Sequence, residues 1–189
     1  MITGIILASG FSKRMKKDKL LMEIHGIKMV ERVIRACKGS LLDEIILIYR
    51  KEEVKSIGQK YGIKLFYNPN AHLGQSAGVR LGVNKAGKSD AYMFIMGDQP
   101  FINSYLINRL INEYKKNNST IAVPYYNGKK GTPTIFSSAH REELLDVHGD
   151  VGGRDIIEKY SNEIIKVHID DEKLGLDIDT FEDFRNILK

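Results

Sequence analysis

Residues 4–19 read G-I-I-L-A-S-G-F-S-K-R-M-K-K-D-K. The apolar run Ile5-Ile6-Leu7 breaks into Ala8, Ser9 and Gly10, then meets five cations: Lys13, Arg14, Lys16, Lys17 and Lys19. This pattern is a buried strand feeding a tight loop with free backbone N–H groups, over which cations close. Many donors and several positive charges at one place suit a polyphosphate. A solvated basic turn after a core strand is the plainer alternative.

Further apolar, β-rich runs fall at 44–49, 64–67, 91–96, 120–124, 134–136 and 164–169. Between them the spans 29–38, 52–61, 76–86, 104–116 and 151–160 carry apolar residues at three- and four-residue spacing, the helical period. The span 180–188 reads as a last helix, with Thr180 as N-cap and Asp183 three residues on. Strands alternating with helices predict a three-layer α/β fold around a mainly parallel, mixed sheet. No repeat, linker or low-complexity tract interrupts the 189 residues, so one domain over 1–189 is expected.

The composition is 42% hydrophobic and 28% charged, that of an ordinary globular chain, with a net charge of +5. The positive excess is concentrated at 13–19, which argues for a local anion site and against a nucleic-acid surface. One cysteine, Cys37, rules out an internal disulfide and reads as a core residue beside Val30, Val33 and Ile34. No apolar run reaches the length that spans a bilayer, so no membrane partner and a cytoplasmic location are expected.

In parallel sheets ligands sit beyond the carboxyl ends of strands, where strand order reverses. Informative residues should therefore follow strands. Three groups do: the loop after Ala8, the Gly97-Asp98-Gln99-Pro100 turn, and the segment holding Asp177 and Asp179. Gly10 permits close approach to phosphate oxygens, Arg14 can bridge two of them, and Lys19 supplies a movable charge. Asp98 is an N-cap, a turn-former before the 104–116 helix, or a metal ligand. Gln75 carries donors and acceptors suited to a base edge, and Ser76 reads as an N-cap. Gly149-Asp150-Val151-Gly152-Gly153-Arg154 is a second glycine-rich turn, either an anion site for a second substrate or a capped turn with a surface arginine. Neither a dinucleotide fingerprint nor a P-loop is present. His25, His72, His140, His148 and His168 lack ligand spacing, and Gly74-Gln75-Ser76-Ala77-Gly78 has no strand leading into it as a hydrolase elbow would.

Taken together, L-A-S-G-F-S-K-R-M-K-K-D-K (7–19), G-Q-S-A-G (74–78), G-D-Q-P (97–100), G-D-V-G-G-R (149–154) and D-I-D-T-F-E-D (177–183) resemble the molybdenum cofactor cytidylyltransferase family. The guanylyltransferase acting on the same pterin is its close relative. The resemblance implies a Rossmann-like nucleotidyltransferase fold of the nucleotide-diphospho-sugar transferase type. It implies that Leu7, Ala8, Ser9 and Gly10 contact the nucleotide, that Arg14 and Lys19 hold its triphosphate, and that Gln75 and Ser76 lie near base or ribose. Asp98 would bind Mg²⁺ with Asp177 or Asp179, and Gly149, Asp150, Gly152 and Arg154 would face the acceptor. Two departures stand out: Lys16 where the family often has glycine, and Phe181 where it usually has proline. L-A-S-G is closer to the cytidylyl branch, since the guanylyl branch usually has L-A-G-G.

The implied reaction is attack by the terminal phosphate of molybdopterin on the α-phosphorus of CTP, or of GTP, with Arg14, Lys19 and Asp98 as the catalytic set. A molybdenum hydroxylase would receive the product. Rival readings are a sugar-nucleotide glycosyltransferase, a nucleotide-sensing domain, an oxidoreductase, or a nucleotidyltransferase with another small phosphorylated acceptor.

Overall fold

The computed structural model describes residues 1–11, 15, 18–117 and 119–187. Lys13, Arg14, Lys16, Lys17 and Leu188, all used in the sequence reading, lie outside them. The described residues form ten strands: β1 (Ile2–Ala8), β2 (Glu23–Ile24), β3 (Ile27–Lys28), β4 (Glu44–Tyr49), β5 (Lys64–Tyr67), β6 (Ala91–Met96), β7 (Ile121–Tyr126), β8 (Lys129–Lys130), β9 (Thr134–Ser137) and β10 (Ile165–Ile169). The α-helices are α1 (Met29–Lys38), α2 (Glu52–Lys60), α3 (Gln75–Lys85), α4 (Ser104–Lys116), α5 (Arg141–Leu145), α6 (Arg154–Lys159) and α7 (Phe181–Ile187).

The main sheet runs β10-β7-β9-β6-β1-β4-β5, with β8 paired to β7. β1 pairs in parallel with both β4 and β6, β4 with β5, and β7 with β10. β9 runs antiparallel between β6 and β7, which makes the sheet mixed, as expected. Because strand side chains alternate, each central strand feeds two cores. Ile6, Leu47, Met93 and Ile95 meet the helices α1, α2 and α4 on one face. Ile5, Leu7, Ile46, Ile48, Tyr92 and Phe94 meet α3, α5 and α6 on the other. Gly82 lets α3 lie close on β1: a Cβ there would stand 2.4 Å from Ile5 Cγ2. Cys37 is fully buried in the first core, as its helical spacing predicts.

Several boundaries shift by a residue or so from the sequence reading, and four differences have a clear physical cause. β1 begins at Ile2, not Ile5, because Gly4 is tolerated in a fully buried strand. β7 extends to Tyr126, since β8 gives its last residues a partner. The helix expected from Val151 starts at Arg154, because Gly152 takes a left-handed φ of +57° that ends any earlier helical turn. Ser76 is not the N-cap of α3. It lies inside the helix, and Gly74 occupies the cap position. The α7 terminus matches: Asp183 N–H donates to Thr180 Oγ1 (3.1 Å) and Thr180 N–H donates to Asp183 Oδ2 (2.8 Å), a reciprocal capping box.

The chain leaves β1 for β4 and β5 on one side, then returns to place β6 on the other. The carboxyl ends of β1 and β6 are therefore the reversal point where a ligand crevice opens. No helix among the described residues is long and apolar enough to cross a membrane.

Candidate active site

The end of β1 and the end of β6 lie side by side, joined by the bond from Gly97 N–H to Leu7 O (3.0 Å). A Cβ on Gly97 would come within 3.1 Å of that carbonyl, so this crossing is built for glycine. Beyond it, Ser9 is held by Asn68, whose Nδ2 donates to Ser9 Oγ (3.0 Å). Asn68 is itself buried, and its Oδ1 accepts from Asn70 N–H (3.1 Å) in an Asx turn. Arg50, which follows β4, stacks on the Phe11 ring at 4.3 Å and donates to Gly10 O (3.4 Å). Asn68, Arg50 and Phe11 were not singled out by the sequence reading. The signal for Asn68 and Arg50 was their position directly after strands that end at this crevice.

Three carboxylates gather where β6 ends. Lys19 Nζ sits between two of them, 2.5 Å from Asp98 Oδ2 and 2.8 Å from Asp179 Oδ1. Burial, the largest single influence on Lys19, favours the neutral amine. The attraction of Asp98 and Asp179 together outweighs it and lifts the pKa above the ordinary lysine value. Burial pushes Asp177 up to about 6, aided by the negative charges of Asp98 and Asp179 and opposed by Lys19 and Gln99. Asp98 is not the cap of α4; that role belongs to Asn103, whose side chain accepts from Leu106 N–H (2.9 Å). Its Oδ1 is buried and finds no partner among the described residues. A buried acceptor without a donor is costly, and a bound cation would satisfy it. The donor set is all oxygen, which suits a hard divalent cation. Among the described residues no three acidic, histidine or cysteine side chains form a ready-made metal cage. Mg²⁺ needs none, because one or two carboxylates plus substrate phosphates hold it.

The N-terminus of α3 is capped from a distant turn. Gln75 N–H donates to Asp150 Oδ1 (3.1 Å) and Ser76 N–H to Gly149 O (3.0 Å). Gly74 makes this possible with φ +95° and ψ −174°, a backbone region open essentially to glycine alone. Thus the two glycine-rich stretches of the sequence, 74–78 and 149–154, are one structural unit.

Two cavities flank this unit. The first, of about 490 Å³, is lined by Leu7, Ser9, Gly10, Phe11, Lys19, Gln75 and Asp150 among others. The second, of about 740 Å³, lies toward β7 and α6 and is lined by Gln99, Tyr126, Thr132, Arg154 and Asp177 among others. Gln75, Met96, Asp98 and Asp179 face both. The structure therefore brings Leu7, Ser9, Gly10, Lys19, Gln75, Asp98, Asp150 and Asp179 to one cavity, and Arg154 and Asp177 to its neighbour. Ala8 and Ser76 are buried and line neither; Ala8 packs into the sheet core, and Ser76 lies within α3. Gly149 and Gly152 also line neither: Gly149 serves as a cap acceptor, and Gly152 backs the Gln75 amide, whose Cδ would stand 3.3 Å from a Cβ there. Gln75 donates to Met96 Sδ (3.4 Å), so it stands at the partition between the cavities.

Lys129 and Lys130, which line the second cavity, also escaped the sequence reading. Their signal was Asn127-Gly128, where both residues have positive φ (47° and 78°), the dipeptide that turns a hairpin. Buried His140 bonds Thr120 Oγ1 (2.7 Å) and packs edge-on against Tyr160, whereas His72 lines the first cavity.

Comparisons with known proteins bear on this arrangement. The chain is 30% identical over 196 residues to the bifunctional protein GlmU of Acetivibrio thermocellus, a match covering 100% of this chain and 40% of that protein. It is 30% identical over 129 residues to a protein of Natranaerobius thermophilus described as "Probable molybdenum cofactor guanylyltransferase", covering 67% of this chain and 62% of that one. The chain thus spans less than two thirds of the length of either relative. The crystal structure of Rv0371c from Mycobacterium tuberculosis in complex with manganese superposes with a TM-score of 0.83 at 22% identity, covering 99% and 97% of the two chains, and shares the fold. The model of the MobA-like NTP transferase domain matches residues 4–164, from the first strand through the carboxylate-bearing turn and both glycine-rich stretches, and the chain belongs to that family.

Proposed function

We propose that this chain is a nucleotidyltransferase that moves CMP from CTP to the terminal phosphate of a molybdopterin-type acceptor and releases pyrophosphate. The observation that carries the reading is the meeting of two cavities at Asp98 and Asp179, with Lys19 between those carboxylates. Two substrates bound one in each cavity would bring their reacting phosphates together at that wall, the positioning a transfer reaction needs.

An acceptor phosphate oxygen attacks the α-phosphorus, a P–O bond forms, and the bond to the β-phosphate oxygen breaks with its electron pair. The nucleophile is already an anion near neutral pH, because the second phosphate pKa is about 6. No general base is required, which fits a site whose described residues offer a cation and carboxylates. Lys19 neutralises charge that builds on the departing pyrophosphate, and Arg14, by its place in the loop sequence, is assigned to the same task. Asp98 and Asp179 would hold Mg²⁺ or Mn²⁺, which when bound polarises phosphoryl oxygens and neutralises their charge. Asp177, facing only the second cavity, is placed further from the nucleotide side. Arg154 would meet the acceptor, and Ser9 and Gly10 the nucleotide. The product would pass to a molybdenum hydroxylase.

GTP is the second reading, favoured by the description of the Natranaerobius relative. Pyrophosphate release with each of the four nucleoside triphosphates, molybdopterin and Mg²⁺ decides between them. CTP-dependent release is expected; release with GTP alone reassigns the base, and no release with any nucleotide overturns the reaction.

A further inference from the structure

Gln99 follows Asp98 directly, yet its side chain is buried at 1% exposure in the floor of the second cavity. Both ends of its amide are used. Nε2 donates to Gly175 O (3.1 Å), and Oε1 accepts from Thr132 Oγ1 (2.9 Å). Gly175 begins the segment that carries Asp177 and Asp179. That segment has a second tie to the same turn, from Ile178 N–H to Asp98 O (3.3 Å). Ile178 is fully buried against Met15, Ile24, Met29 and Phe184, so the far side of the segment is anchored too. Thr132 belongs to the opposite wall, where its carbonyl accepts from Tyr126 OH (2.8 Å). The Tyr126 ring is gripped by Gly131 and Gly175: a Cβ on either would fall about 2.5–2.6 Å from a ring carbon.

We propose that Gln99 is a positioning residue, a buried strut that fixes the Asp177–Asp179 segment and the Thr132 wall relative to Asp98. The inference rests on the metal-carboxylate reading above and deepens it. The spacing between Asp98 and Asp179 is set by one polypeptide turn and one distant segment, tied by the Ile178 main-chain bond and this amide and bridged by Lys19. Removing the amide takes from Gly175 O and Thr132 Oγ1, both part-buried, the partner that joins them and frees the segment to shift. A cation that needs both carboxylates then binds less well, while a nucleotide held in the first cavity without metal is unaffected.

The test is Gln99→Met, which keeps volume and removes both hydrogen bonds, made in the full chain beside Thr132→Val. Mn²⁺ binding is read by the loss of the free-ion electron paramagnetic resonance signal, and CTP binding in EDTA by calorimetry. Partners that orient metal ligands are worth roughly 10–100-fold in affinity. A loss of about 10-fold or more in Mn²⁺ affinity is expected for Gln99→Met, and a smaller loss of the same sense for Thr132→Val, with CTP affinity in EDTA unchanged. Wild-type Mn²⁺ affinity in a folded Gln99→Met overturns the proposal, as does equal weakening of metal-free CTP binding. Should Gln99→Met fail to fold, Thr132→Val decides alone: unchanged Mn²⁺ affinity overturns it. A wild type that binds no Mn²⁺ overturns the metal reading and this inference together. A wild type that binds Mn²⁺ but releases no pyrophosphate overturns only the transfer reaction.

Discussion

Gly74→Ala tests the claim that the two glycine-rich stretches form one unit. The backbone at Gly74 (φ +95°, ψ −174°) is open essentially to glycine, and forcing another residue into such a region costs roughly 1–3 kcal/mol. The added Cβ would also stand 2.4 Å from Asp150 Oδ1 and 2.6 Å from Gly149 O. The carboxylate can swing away, but the Gly149 carbonyl is backbone and must move with its turn. Both cap acceptors of α3 are then lost to Gln75 and Ser76, and a lost cap costs about 1 kcal/mol. The sum is roughly 2–4 kcal/mol, and for a chain of this length each kcal/mol lowers Tm by about 2–4 °C. Urea unfolding with a constant m-value measures it. Gly62→Ala is the control, since Gly62 has φ +62° and nothing within 4 Å of its Cβ, leaving strain of about 1–2 kcal/mol alone. Because Gly74, Gln75 and Asp150 line the first cavity and Arg154 the second, a displaced turn should also raise KM for both substrates. A Gly74→Ala protein no less stable than Gly62→Ala would refute the reasoning.

Four further outcomes follow from the same structure. Asp98→Ala should cut turnover by roughly 10²–10³-fold or more while circular dichroism stays native, and near wild-type pyrophosphate release would remove Asp98 from the site. Lys19→Met should lower kcat more than it raises KM for the nucleotide, because the charge it answers grows as pyrophosphate departs; an effect on KM alone would make Lys19 a ground-state binder. Gly82→Ala should destabilise by about 1–3 kcal/mol through overpacking against Ile5, which outweighs roughly 1 kcal/mol gained in helix propensity; a stabilised variant in urea would show that α3 can lift off β1. Glu143 accepts from Lys159 Nζ (2.8 Å) and Tyr160 OH (3.0 Å), and the Lys159 bond above all holds its carboxyl below the usual 4.5. A depressed folded pKa gives stability present above the unfolded value and lost as pH falls through the folded one, so between roughly pH 5 and pH 3 the wild type should lose more stability than Glu143→Gln; parallel pH curves would contradict this.

The parts of the fold that sequence makes legible are those whose periodicity is uninterrupted. β4, β5, β6, α1 and α4 start and stop where their apolar spacing does, because each lies in the sheet or against it. The cap of α3 could not be read locally. Ser76 has the right chemistry and stands near the helix start, but the acceptors come from Gly149 and Asp150, some seventy residues away. Propensity sees only neighbours, and here a tertiary contact supplied what Ser76 was expected to supply. The same limit hid the strut: Gln99 sits inside the G-D-Q-P motif, yet nothing in four letters tells which distant carbonyl its amide will meet. Hairpins were legible in principle, since His25-Gly26 and Asn127-Gly128 both carry positive φ in a two-residue turn between short paired strands.

The carboxylate cluster gives the site its directional logic. Asp98, Asp177 and Asp179 bring three acidic groups to the end of one strand, against a single described lysine that contacts two of them. The imbalance is costly at Asp98, whose Oδ1 is buried and has no donor among the described residues to answer it. Asp98 and Asp179 stand on the wall common to both cavities, where a transferred phosphoryl group would need opposing charges held at fixed distances before the substrates arrive. The sheet supplies that rigidity through β1 and β6, and the segment carrying Asp177 and Asp179 is fastened at Asp98 and Gln99 to the turn that follows β6. Fidelity of the site therefore depends less on the glycine loop that dominates the sequence than on how firmly that late segment is tied to the central strand.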